Sequence, residues 1–260
     1  MVQWAALERD VRREYIKTRS DIISDHDDLT YETLELLERM TTKDGTINRQ
    51  KLSSLFDRLD ALSSQHGKRI YDKTEDGMST SARITAAFLL LNVGLITRKA
   101  ALNVREEVAL QKWIDGINLR DRTSILAGQF SDDIRTIIRR GTYYETPVEQ
   151  IRRQVQEFYK GEEWKLDRII ESEIYNTHRI QFGKTAEENG IEYIQFNEYF
   201  PESKNRENHE CYTYAREDNY GLGAGIFKVT DDKIYYPHPR CTGYLTIPDF
   251  ILRGESDVNR

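Results

Sequence analysis

The placement of proline constrains this chain more than any other feature. None precedes Pro147, and the other four lie between Pro201 and Pro248. Proline breaks helix interiors because it lacks an N–H and its ring clashes with the preceding turn. A long proline-free stretch rich in Leu, Arg, Glu and Asp therefore reads as helical. Glycine follows the same division, with Gly221, Gly223 and Gly225 clustered late. The expected fold is mainly α, with a small C-terminal α+β module built from a long helix and short antiparallel strands. We divide the chain into an N-terminal helical region (1–100), a helical lead-in (101–160) and the C-terminal module (161–260).

Hydrophobic spacing supports this division. Trp4, Leu7, Val11 and Tyr15 share one helical face, as do Leu52, Leu55, Phe56, Leu59 and Leu62, and later Val148, Ile151, Val155 and Phe158. Such i, i+3, i+4, i+7 stripes bury against a partner helix. Leu34, Leu37 and Met40 mark a short helix ending before Lys43-Asp44-Gly45. Residues 83–96 are apolar over a wider arc, so they are expected to be the most enclosed of the N-terminal set. Ile125, Phe130, Ile134, Ile137 and Ile138 mark a helix closing at Arg139-Arg140-Gly141, with Gly141 suited to the position after a helix end. From Gly161 to about Asn189 a long helix is expected, with Leu166, Ile169, Ile170 and Ile174 as its buried edge, stopped by Asn189-Gly190. Beyond it, 191–196, 225–229 and 233–236 read as strands and 244–247 as a fourth, with Asp231-Asp232 suited to a hairpin.

Composition removes several classes. Of 260 residues 38% are hydrophobic and 32% charged, with 38 Lys+Arg against 44 Asp+Glu for a net charge of −6. The low apolar share disfavours one compact globule and suits an extended helical molecule or an assembly component. The acidic balance disfavours bulk nucleic-acid binding, which needs a Lys/Arg excess to displace counterions. Residues 191–260 hold 8 basic and 12 acidic side chains, so the acidity concentrates in the tail. No segment approaches the roughly 18–20 apolar residues that span a bilayer; the longest, Ala86 to Leu91, stops at Asn92. The first residues lack the basic and apolar blocks of a signal peptide, and two cysteines point to a reducing cytosol. There is no Gly-rich phosphate loop, Gly-x-Ser-x-Gly elbow or His-Glu-x-x-His pair.

Chemistry concentrates late in the chain. His209-Glu210-Cys211 and His238-Pro239-Arg240-Cys241 place both cysteines and two of the five histidines close in sequence. Zinc takes four soft or borderline ligands, often as two close pairs from separate turns, and His209, Cys211, His238 and Cys241 supply two such pairs. Two other readings stay open: a packed, metal-free site, and a disulfide between Cys211 and Cys241. A nuclease built on these residues would need a helix after the last turn, and only a short, polar segment follows Cys241. Glu171, Ser172, Glu173 and His178 form another polar cluster, for which an i,i+3 ion pair with Arg168 is a sufficient explanation.

Several of these segments, in order, resemble the phage head morphogenesis family, minor capsid proteins similar to protein F of phage Mu. Arg168-Ile-Ile-Glu-Ser172-Glu173 matches the family's Arg-x-x-x-x-Thr-Glu helix, with Ser for Thr and the arginine one place closer. Glu188-Asn189-Gly190 and Ile191 to Phe196 follow as its glycine and strand. His209-Glu-Cys211-Tyr-Thr-Tyr214 falls where the family has Cys-x-x-Cys, with Tyr214 for the second cysteine. His238-Pro239-Arg240-Cys241-Thr-Gly243 matches a closing His-Pro-x-Cys-Arg-Cys, with Gly243 for the final cysteine. Upstream, Gly116 to Arg122 and Gly141 to Ile151 resemble the family's helical lead-in. The resemblance covers about 110–247. It implies a non-enzymatic minor capsid protein, made in the host cytoplasm and carried in the virion. Its partners would be the portal, the major capsid or scaffold protein, with packaged DNA a weak partner and no membrane. The role would be head assembly, DNA retention or ejection. His209 and His238 could stand in for the missing cysteines as ligands of a structural zinc. The competing expectations are a metal-dependent nuclease or transferase using the His/Cys cluster with Glu173 nearby, and a cytosolic helical adaptor.

Overall fold

The computed structural model describes residues 2–96, 116–198 and 209–254. Four long helices dominate: α1 (Trp4–Arg39), α2 (Leu52–Val93), α3 (Leu119–Tyr143) and α4 (Val148–Glu188). The chain is mainly α with a small three-stranded antiparallel sheet near its C-terminus, as expected. The opening part of the lead-in, 101–115, lies outside the described residues.

The helices are longer than their stripes predict. The patterns at 4–15 and 34–40 both belong to α1, and those at 148–158 and 161–189 merge into α4. Only Gly161 interrupts the latter pair. A helix-interior glycine is disfavoured by about 0.5–1 kcal/mol relative to alanine, too little to stop a 41-residue helix. Nor does α3 close at Gly141. It runs to Tyr143 because Gly141 is buried against α4, where an added Cβ would sit 2.5 Å from Ile151 Cδ1. That glycine serves close helix packing rather than a helix end. Residues 83–96 are also not the most enclosed: Leu89 is buried, but Leu91 is 81% exposed, and Leu90 and Ile96 are exposed with it. One helix start gains a cap that the hydrophobic pattern left unmarked, and the expected stop at Asn189-Gly190 does appear. Asn118 caps α3 by accepting from the Asp121 N–H, and α4 ends as Ile191 N–H reaches back to the Ala186 carbonyl over Gly190 at φ +74°.

The described chain forms two compact units. One comprises 18–73 and 115–167. In it His26 of α1, His66 of α2, Phe130 of α3 and Tyr159 of α4 meet, with His26 ring centroids 5.2–5.4 Å from the other three. Four helical segments thus share one core, and the loop after α1 is tied in as Gly45 accepts from the Val148 N–H at the start of α4.

The other unit comprises residues up to 17, 74–114 and 168 onward. Its axis is the C-terminal half of α4, where every residue from Ser172 to Gly183 is buried. Trp4 packs on Phe88 and Phe182, and Tyr15 on Tyr175. The sheet has the order β2-β1-β3, from β1 (Tyr193–Asn197), β2 (Ile226–Lys228) and β3 (Tyr244–Thr246). Ile194 faces Phe227, and Phe196 faces Leu245; all four are buried. Gly225 precedes β2 at φ +75°, where a Cβ would meet the Phe196 carbonyl oxygen at 2.5 Å. The strand expected at 233–236 is absent. Asp232–Ile234 is a short 3-10 turn, because the Asp231 carboxylate accepts from the Lys233 N–H and the Tyr235 hydroxyl donates to the Val229 carbonyl at 2.6 Å. Local capping outweighs the alternating pattern there.

Candidate metal centre

Two short segments of this second unit bring the His/Cys residues together. His209 precedes a one-turn helix, α5 (Glu210–Tyr214), and its carbonyl accepts from the Tyr212 N–H, which puts Cys211 in the first turn beside it. Residues 237–241 form a tight turn: Cys241 N–H donates to the His238 carbonyl, and Arg240 sits at φ +62°. Pro237 and Pro239 fix φ on either side of His238.

Donor atoms of His209, Cys211 and His238 all lie within 4.8 Å of one another. His238 Nε2 is 3.1 Å from Cys211 Sγ, and the two imidazoles meet edge to face with centroids 5.0 Å apart. The Cys241 thiol joins through hydrogen bonds with the Cys211 and His238 side chains. Three of the four expected residues therefore form one mutually close set, and Cys241 adjoins it through Cys211 and His238. Cys241 is buried, Cys211 half-buried, and His209 exposed.

The surroundings set the protonation of this group. His238 Nδ1 lies 2.9 Å from the Pro239 carbonyl oxygen, which can only accept. The proton is thus on Nδ1, and the Nε2 lone pair points at Cys211. Burial is the largest influence on His238 and lowers its pKa, yet contacts with Cys241 and the Pro239 carbonyl together raise it above its ordinary value. The Cys211 hydrogen bond, with the Arg179 charge behind it, holds the Cys241 thiol well below its ordinary value against the opposing effect of burial.

The turn is gripped from below by α4. Arg179, fully buried, donates Nε–H to the Tyr235 carbonyl at 3.0 Å, Nη1–H to the Cys241 and Gly243 carbonyls at 3.0 and 2.7 Å, and Nη2–H to Asn176 Oδ1. Ser172 Oγ donates to the Arg168 carbonyl and accepts from the Arg240 N–H, while Arg240 Nε–H donates to Glu171.

The remaining polar residues of α4 separate from this group. Glu173 is fully buried on the helix, and among the described residues no carboxylate joins the mutually close His/Cys set. His178 faces elsewhere. Thr85 Oγ1 donates to the Ser81 carbonyl, so it accepts from His178 Nδ1–H at 2.8 Å, leaving Nε2 3.4 Å from Glu8 Oε1.

Comparison with protein-family models, with curated proteins and with solved structures finds no match to the chain.

Within the module, Tyr214 and Gly243 both pack on Phe196. Tyr214 sets its ring edge-on to Phe196 and Phe227, and a Cβ at Gly243 would run into the Phe196 ring. The Phe196 ring occupies the space that a cysteine at 243 would need. Arg179 escapes sequence reasoning altogether. It lies in a polar run that reads as a solvated helix face, and only the tertiary fold wraps that face on all sides. At helical spacing the edge that Ile170 and Ile174 begin continues into Thr177, His178 and Gln181, so no apolar pattern marks the burial of this stretch.

Proposed function

We propose that this chain is a minor capsid, or head morphogenesis, protein of a tailed phage, docking on the portal or the inner capsid and assisting head assembly, DNA retention or ejection. The observation that carries this reading is the grip of α4 on the closing turn. Glu171 and Ser172, in the segment resembling the family's Arg-x-x-x-x-Thr-Glu helix, bind the side chain and backbone of Arg240 in the His-Pro-x-Cys turn. Motifs about 70 residues apart in sequence thus act as one folded module, which explains why they would travel together. Docking also needs apolar side chains left at the surface. Leu90 and Leu91 of α2 are exposed in one unit, and Tyr143 and Tyr144 are exposed in the other. No helix among the described residues is long and apolar enough to cross a membrane.

The test is co-sedimentation of the full chain with procapsids assembled from the portal, scaffold and major capsid proteins encoded beside it. Retention with portal-containing particles is the expected result. Equal absence from particles with and without portal would refute the reading.

A further inference from the structure

We propose that His209, Cys211, His238 and Cys241 bind one zinc ion, closed to substrate, that staples the turn 237–241 to the start of α5. The inference stands on the geometry of these four side chains and is independent of the head-assembly reading.

Four features point to a metal. The first is spacing. With Zn–N of about 2.0–2.1 Å and Zn–S of about 2.3 Å, tetrahedral donors stand roughly 3.3–3.8 Å apart. Here His238 Nε2 and Cys211 Sγ are 3.1 Å apart, and the three-residue group spans no more than 4.8 Å. Shifts on the order of 1 Å would bring these three donors to tetrahedral spacing, and Cys241, which adjoins Cys211 and His238, supplies the fourth position. The second is the tautomer. The Pro239 carbonyl takes the proton of Nδ1 and aims the bare Nε2 into the group, the outer-shell arrangement that orients ligating histidines. The third is support around the sulfur. The Gly243 N–H points at Cys241 Sγ from 3.4 Å, and Arg179 fixes the carbonyls of Cys241 and Gly243 on either side. The fourth is the donor set. Two imidazoles and one thiol in the close group, a second thiol adjoining it, and no carboxylate among them favour zinc over hard cations such as Mg²⁺ or Ca²⁺.

The proton balance follows from that set. Each thiol loses its proton as its sulfur bonds the ion, so two protons leave and the centre becomes neutral, as suits a half-buried site. With all four positions filled by protein, no open site remains for a water or substrate, which makes the ion structural.

Elemental analysis of the full chain, purified under reducing conditions, tests this directly. About one zinc per chain is expected, falling at least fivefold in Cys211→Ser and in His238→Ala. These variants can lose their fold along with the metal. Wild-type protein stripped by a chelator and reloaded with Co²⁺ supplies an independent readout. Tetrahedral thiolate-bound cobalt gives intense visible d–d bands, and re-adding zinc should restore the melting temperature lost on stripping. Four outcomes would overturn the proposal: a metal-free chain with both thiols free that takes up no zinc; a chain lighter by two hydrogens from a Cys211–Cys241 disulfide that survives purification under reductant; stoichiometric iron in place of zinc; or only the weak bands of six-coordinate cobalt.

Discussion

Arg179 is a fully buried cation that donates to four neutral oxygens, and replacing it gives a sharp test of how the C-terminal module is held. In Arg179→Met the carbonyls of Tyr235, Cys241 and Gly243 lose their donor. Each buried polar group left unsatisfied costs about 1–3 kcal/mol, so three come to roughly 3–9 kcal/mol. Removing a desolvated charge returns several kcal/mol. The expected net loss is about 3 kcal/mol. Arg179→Lys should not rescue it. A single ammonium keeps the burial penalty but offers three donors from one point, where the guanidinium fork reaches four acceptors. The assay is amide hydrogen exchange. Peptides covering 235–246 should exchange about a hundredfold faster in Arg179→Met, since 1.4 kcal/mol is a factor of ten. Peptides from 18–73, in the other compact unit, should be unchanged. Rescue by lysine would show that charge, and not the hydrogen-bond fork, holds the turn. Acceleration under fivefold would refute the hydrogen-bond reasoning itself.

Further outcomes follow from other contacts. His26 Nε2–H donates to the Tyr159 carbonyl, so its Nδ1 accepts from His66 Nε2–H, and His66 Nδ1 has no hydrogen-bond partner among the described residues. Burial, aided by the charges of His26, Arg69 and Lys73, lowers the His66 pKa to about 3, and burial lowers that of His26 also. The folded state therefore holds His66 neutral, while the unfolded chain protonates near pH 6.5. Stability should be full above pH 6.5 and fall as pH drops toward 3, by up to about 1.4 kcal/mol per pH unit from this residue. Urea midpoints at a series of pH values check this, and a profile unchanged between wild type and His66→Phe would contradict it. Gly141→Ala should destabilise by about 1–3 kcal/mol through overpacking against Ile151. In a double-mutant cycle the loss should shrink in an Ile151→Ala background, and strict additivity would place the clash elsewhere.

Much of the fold is legible because it depends on local rules. The hydrophobic stripes of α1, α3 and α4 follow the 3.6-residue period, and Asn189-Gly190 marks a helix end by capping chemistry that neighbouring residues supply. The His/Cys pairs are legible for a similar reason: two donors two or three residues apart leave few relative positions. What escapes is whatever requires knowing the partner. Gly141 carries the same local signal as a helix terminator, and only the approach of Ile151 makes it a packing residue. Residues 233–236 alternate like a strand, yet the Asp231 cap and the Tyr235–Val229 hydrogen bond fold them into a turn.

By itself, the sequence determined that a proline-free helical body precedes a short mixed module, and that the chemistry lies in two His/Cys pairs. Tertiary structure alone decided that these pairs meet, because it sets Cys211 of α5 against His238 of the closing turn, which Glu171, Ser172 and Arg179 hold on the C-terminal half of α4. It also decided that α4 from Ser172 to Gly183, a run that includes Glu173, His178 and Arg179, is buried on every side. Periodicity registers how many faces of a helix are apolar. It carries no information on a polar face that neighbouring carbonyls and hydroxyls, brought from distant positions, are arranged to satisfy.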